Sequence, residues 1–64
     1  SVLDEIPGVG PSRRKALMKY FKSIEEMRAA NVDTLLEVPG ITTKVAEKIY
    51  AFFQQAHETD AEES

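Results

Sequence analysis

Apolar residues recur along this chain at intervals of three and four positions, and no stretch alternates apolar with polar at a period of two. Leu17, Tyr20, Phe21 and Ile24 keep the i, i+3, i+4, i+7 spacing that puts them on one face of a helix. Val45, Ala46, Ile49, Phe52, Phe53 and Ala56 form a second stripe of the same kind. Each stripe follows a Pro-Gly pair, a turn signal in which proline presets φ near about −65° and glycine accepts a positive φ. Pro11 suits the first position of the first helix, where its missing N–H would have no intrahelical partner, and Thr42 suits the N-cap of the second. Three shorter helices are predicted around these two. One covers Val2–Ile6, with Ser1 and Asp4 as its opening signal. Another opens at Ser23, spaced three residues from Glu26 as in a capping box, and ends near Ala30. The last covers Thr34–Glu37, capped by Asp33, with Leu35 and Leu36 leading into the second Pro-Gly turn. The predicted fold is all-α, with five short helices.

Shifting the chain by 32 residues lays one half over the other. Ile6-Pro7-Gly8-Val9-Gly10-Pro11 falls on Val38-Pro39-Gly40-Ile41-Thr42-Thr43, and Leu17, Tyr20 and Phe21 fall on Ile49, Phe52 and Phe53. Two copies are too few for a solenoid, so the duplication predicts a pseudo-two-fold domain of two helix–hairpin–helix units. The first unit spans about residues 6–21, the second about 38–53, and the helix at 23–30 joins them. The domain is expected to occupy residues 1–56.

The chain has 64 residues, of which 42% are hydrophobic and 30% charged, the balance of a small folded domain. A chain of this size buries about 60% of its unfolded surface, so its core has to be compact. There is no cysteine, which removes disulfides and thiolate metal sites, and no apolar run approaches the ~18 residues of a membrane span. The formal net charge of −3, taken as an average, argues against a nucleic-acid partner. The distribution of charge reverses that argument. Residues 1–53 carry all eight Lys and Arg against seven acids, a body of +1. Residues 54–64 carry four acids, no Lys or Arg, and no apolar side chain larger than alanine. Such a segment cannot offset its ordering entropy, so residues 57–64 are expected to form a disordered acidic tail. Residues 11–22 hold Arg13, Arg14, Lys15, Lys19 and Lys22 with no acid among them.

A glycine turn that runs into a helix N-terminus leaves backbone N–H groups pointing outward. Those donors and the helix dipole attract an anion, and phosphate fits well. In the first copy the turn is Gly8-Val9-Gly10, with Val9 plugging inward and Arg13, Arg14 and Lys15 following in position for charge-assisted contacts. In the second copy Gly40, Ile41, Thr42 and Thr43 play the same part, and Lys44 supplies the charge. Two such turns related by a pseudo-two-fold present two phosphate grips on one face, suited to two backbones flanking a minor groove or meeting at a junction. The copies differ in two places. Thr42 replaces the second glycine and is expected to restrict the turn and weaken its grip. Arg13 and Arg14 stand where the second copy has Val45 and Ala46, so the first hairpin is expected to be the more electrostatic. Replacing Gly10 with valine is expected to strain the turn and to block phosphate approach.

Catalysis finds no support. There is no Cys or Gly-x-Ser-x-Gly nucleophile, and the single histidine, His57, lies at the tail boundary beside Glu58 and Asp60. The acids of the body are dispersed over separate helix ends, whereas a two-metal nuclease needs converging carboxylates. No catalytic residue, metal or cofactor is expected. Tyr20, Phe21, Tyr50, Phe52 and Phe53 sit at helical spacing and read as core rather than as a base-stacking platform.

The segments Ile6-Pro7-Gly8-Val9-Gly10-Pro11 and Val38-Pro39-Gly40-Ile41-Thr42 resemble the tandem helix–hairpin–helix (HhH)2 domains of DNA repair proteins. Ser1-Val2-Leu3-Asp4, Arg13-Arg14-Lys15-Ala16-Leu17 and Glu47-Lys48-Ile49-Tyr50 extend the resemblance to the C-terminal domain of the UvrC family, the incision subunit of bacterial nucleotide excision repair. The resemblance covers residues 1 to about 53. It implies sequence-independent binding of DNA with an unpaired or junction region, in support of incision by a separate nuclease domain. The implied partners are DNA, the remainder of a larger endonuclease subunit and its repair complex. The implied setting is the bacterial cytoplasm at the nucleoid, with no membrane and a monomeric isolated domain. By motif position it implies Gly8, Val9, Gly10, Ser12 and Arg13 as DNA contacts of the first hairpin, and Gly40, Ile41, Thr42, Thr43 and Lys44 as those of the second. A rival reading is a protein-interaction module. Five-helix SAM domains resemble this layout, and paired helix–hairpin–helix domains can dimerise through aromatic residues near the last helix, here Tyr50 and Phe53. An exposed aromatic patch would favour that rival.

Overall fold

The computed structural model describes residues 2–55, and follows the backbone of the last helix to Glu63. A 3-10 helix at Val2–Glu5 is followed by α1 (Pro11–Tyr20), α2 (Ile24–Arg28), α3 (Val32–Leu36) and α4 (Thr43–Glu63). The fold is all-α, as the apolar spacing predicts. The 3-10 helix packs on α1, α3 packs on α4, and α2 rests on α4. The two halves are therefore a short helix plus a longer one, with α2 as the link.

The 32-residue correspondence holds in the backbone and in the core. Leu3 and Leu35 are both buried, and each accepts through its carbonyl a 3.2 Å bond from an N–H three residues on, that of Ile6 or Val38. Ile6 and Val38, Val9 and Ile41, Leu17 and Ile49, and Phe21 and Phe53 are matched buried pairs. Leu3 and Leu35 extend the repeat further toward the N-terminus than the turn motif alone indicates. Among the described residues every buried side chain is apolar apart from its backbone, so the core is held by packing alone. The aromatic pairs repeat as well. Tyr20 and Phe21 meet edge to face at 5.0 Å between ring centroids, and Phe52 and Phe53 do so at 5.6 Å.

Capping explains most helix starts. The Ser23 hydroxyl accepts from the Glu26 N–H at 3.2 Å, half of the predicted capping box. The Glu26 carboxylate returns to the Lys22 N–H at 3.3 Å rather than to that of Ser23, so the box closes one residue early. For α3 the prediction is corrected. Asn31, not Asp33, caps the helix, its side-chain oxygen accepting from the Thr34 N–H at 2.9 Å. Asn is as good an N-cap as Asp, and starting the helix at Val32 gives Leu35 its place in the core. Asp33 instead sits in the first turn, where its charge complements the helix dipole. Thr42 caps α4 as expected, with its hydroxyl accepting from the Val45 N–H at 3.3 Å. The first predicted helix is a tighter 3-10 turn that ends at Glu5 rather than Ile6.

The expected domain end at residue 56 and the expected disordered tail over 57–64 concern residues whose side chains lie outside the described part. The helical backbone of α4 continues across that point to Glu63, and no glycine or proline interrupts Thr43–Glu63. Among the described residues no helix is long and apolar enough to cross a membrane.

Candidate nucleic-acid interface

Both Pro-Gly pairs form the same turn. Gly8 has φ 89° and Gly40 has φ 86°, and no non-glycine residue among those described has a positive φ. The Val9 N–H donates to the Ile6 carbonyl at 3.1 Å, and the Ile41 N–H to the Val38 carbonyl at 3.1 Å. Proline second and a positive-φ glycine third is the type II arrangement. Val9 and Ile41, each 7% exposed, then turn inward and anchor the two tips to the core. They offer an outside ligand their backbone and little of their side chains.

Gly10 behaves differently from the two tip glycines. Its φ of −94° and ψ of −172° are extended backbone that any residue adopts. Two expectations are corrected by this. Thr42, its counterpart, does not restrict the second turn, and it contributes a cap that α1 lacks. Valine at position 10 would suffer no positive-φ strain. A Cβ there would meet nothing within 4 Å, so the space before Gly10 is open.

The helix starts present matched donors. The Arg14 N–H donates to the Gly10 carbonyl at 2.9 Å, and the Ala46 N–H to the Thr42 carbonyl at 2.8 Å. The amides of Ser12 and Arg13, and of Thr43 and Lys44, precede these bonds and have no intrahelical acceptor. The structure thus brings two sets of helix-start amides to two equivalent turns.

The basic side chains divide by role. Arg13 reaches across the molecule: its Nε donates to the Gly40 carbonyl at 2.9 Å and its Nη1 to the Gly8 carbonyl at 3.2 Å. Its repeat counterpart Val45 packs on the other turn, with Cγ2 3.6 Å from where a Cβ on Gly8 would lie. Each long helix therefore rests on the opposite hairpin's tip. Arg14 pairs with Asp4 of the 3-10 helix at 3.5 Å, an exposed contact worth little in stability. Lys15 is exposed on the outer side of α1 beside Pro11 and Met18, and Ser12, Thr43 and Lys44 are exposed at the helix starts. Lys48 is a residue that the sequence reading passed over. Its Cδ stands 4.0 Å from the Cβ position on Gly8, so this base of the second helix leans on the first turn. The signal for it is its i+4 spacing from Lys44 together with the repeat.

The aromatic residues sort into core and rim. Phe21 and Phe53 are buried and Phe52 is partly buried, whereas Tyr20 and Tyr50 are exposed. The Tyr20 hydroxyl donates a short hydrogen bond to the Glu37 carboxylate, tying the end of α1 to the end of α3. That bond, then partial desolvation, then the Glu37 charge raise the Tyr20 phenol above its ordinary pKa. Phe53, one of the two aromatic residues the protein-interaction reading needs, is 3% exposed. His57 lies outside the described residues.

The comparisons with known proteins agree with this geometry. The family described as SAM-like helix-hairpin-helix tandem matches residues 1–55. The chain is 62% identical over 53 residues to UvrABC system protein C of Lachnospira eligens, covering 83% of this chain and 9% of that protein. It is 53% identical over 55 residues to the protein of the same name from Alkaliphilus metalliredigens, covering 86% of this chain and 9% of that one. The corresponding protein of Pseudomonas paraeruginosa is 49% identical over 51 residues, 80% of this chain and 8% of the relative. The chain thus spans less than a tenth of the length of these relatives. No solved structure matches it significantly. Two equivalent glycine turns, an internal two-fold and these matches together mean that the chain belongs to the SAM-like helix-hairpin-helix tandem family, as a domain matching the C-terminal region of UvrC.

Proposed function

We propose that this chain is the sequence-independent DNA-binding module of a bacterial nucleotide excision repair subunit of the UvrC type. It grips backbone phosphates of duplex or junction DNA through both hairpins, and a nuclease domain elsewhere in the subunit performs the incision. The observation that carries this reading is the pair of matched turns, φ 89° and 86°, each feeding the start of a helix. In this reading the amides beyond Gly10 and Thr42 meet phosphate oxygens. Ser12 and Thr43 add hydroxyl donors, and Arg14, Lys15 and Lys44 add charge. The backbones of Gly8, Val9, Gly40 and Ile41 shape the approach, and Lys48 joins them at the first turn. No base edge is read, because phosphate contacts position a protein without carrying sequence information.

The test is a set of anisotropy titrations with labelled duplex, single strand and bubble DNA, each in two unrelated sequences. The proposal expects binding that differs among the three structures and is the same for both sequences of each. Binding that follows the sequence, or no binding to any of the three, would reject it.

A further inference from the structure

We infer that Arg13 is the positioning residue of this interface, a fork that sets the spacing of the two hairpin tips, rather than one of its phosphate contacts. The inference rests on the DNA-binding reading above. Arg13 breaks the repeat, a cation standing where the other half has the buried, apolar Val45. Its guanidinium holds the carbonyls of both positive-φ glycines, Gly40 at 2.9 Å and Gly8 at 3.2 Å. Those glycines lie 27 and 5 residues away in sequence, one in each hairpin.

The planar guanidinium presents its N–H groups at fixed angles, so two carbonyls bound to it are held at a set separation. DNA phosphates also stand at set separations, so two grips act together only when their spacing matches. Arg13 has a second effect on the same groups. A carbonyl at a turn tip directs negative charge outward and would repel a phosphate, and a cation bonded to both carbonyls cancels that repulsion. One such residue is enough. An arginine at position 45 as well would bring a second cation to carbonyls already bonded, which accounts for the break in the repeat. Lysine cannot replace it, because an ammonium on a flexible stem is a point charge without a fork.

The test uses the full 64-residue chain with a labelled bubble duplex at low salt, in conditions where circular dichroism shows each variant fully helical. Arg13→Lys and Arg13→Gln are both expected to weaken binding by about tenfold or more through loss of simultaneous engagement, Gln the more because it also removes the cation. A double-mutant cycle of Arg13→Gln with Lys44→Ala is expected to be non-additive, since both act through the second grip. In the protein without DNA, Arg13→Lys is expected to move the backbone NMR signals of Gly8 and Gly40 together. Wild-type affinity in Arg13→Lys, or an additive cycle, would make Arg13 an ordinary phosphate contact and overturn the inference. Unmoved Gly8 and Gly40 signals would overturn it without reference to DNA. A wild-type chain that binds none of the DNA would instead overturn the reading on which it rests.

Discussion

Gly8 and Gly40 hold backbone conformations that an L side chain reaches only under strain, and Gly10 does not. Alanine at position 8 or 40 is therefore expected to cost about 1–2 kcal/mol, from the left-handed backbone alone. A Cβ on Gly8 would make ordinary contacts, 3.6 Å to Val45 and 4.0 Å to Lys48, and one on Gly40 would meet nothing within 4 Å. Gly10→Ala is expected to match or exceed wild-type stability by about 0.4–1 kcal/mol, because it narrows the unfolded ensemble at a compatible φ. It should nevertheless weaken DNA binding by filling the open space before the turn. Chemical denaturation of the three variants checks the order, and equal losses at positions 8 and 10 would contradict it. The positive φ of Gly8 and Gly40 was legible in the sequence, because Pro-Gly within a repeated motif leaves few other turns. The difference between Gly8 and Gly10 was not, since two glycines two residues apart look alike until the backbone is traced. Nor was the role of Arg13, whose partners are carbonyls in two separate turns rather than any side chain.

At the scale of elements, the helix starts carry the clearest predictions. Asn31→Ala removes the bond that caps α3 and is expected to cost about 1 kcal/mol, whereas Asp33→Ala should stay within about 0.5 kcal/mol. Thermal melts of the two variants decide between them, and a larger loss from Asp33→Ala would restore the cap that the sequence suggested. Asn31 and Asp33, two residues apart, are near-equivalent N-caps by residue type, so only the register of Leu35 against the core separates them. The Tyr20–Glu37 bond ties α1 to α3 and has a pH signature. The fold favours the neutral phenol, so the bond's contribution is complete below about pH 10 and is lost as pH rises through the raised folded value. An NMR titration of the Tyr20 ring is expected to show its midpoint fall in Glu37→Gln. An unchanged midpoint would mean that Glu37 is not the cause. This link was invisible in the sequence, where Tyr20 reads as part of the apolar stripe of α1.

Across the whole molecule, the internal duplication is what the sequence conveyed best. The apolar pairs, the turns and the first bonds of both long helices recur after 32 residues, and the two tips come to rest each on the other half's helix. Overall charge conveyed least. A net −3 hides a body of +1 whose bases crowd α1 and the start of α4, and the geometry adds Lys48 to that group at the first turn. The central claim is that both hairpins hold phosphate at once, and salt dependence reads this directly. Each duplex phosphate neutralised contributes a slope of about −0.9 to log K against log salt, so one phosphate per hairpin gives about −1.8. The decisive measurement is this slope for the wild-type chain on duplex DNA. A value of about −1.8 or steeper, made shallower by about 0.9 in Lys44→Ala, is the predicted result. A slope near zero, or one that Lys44→Ala leaves unchanged, would contradict the account.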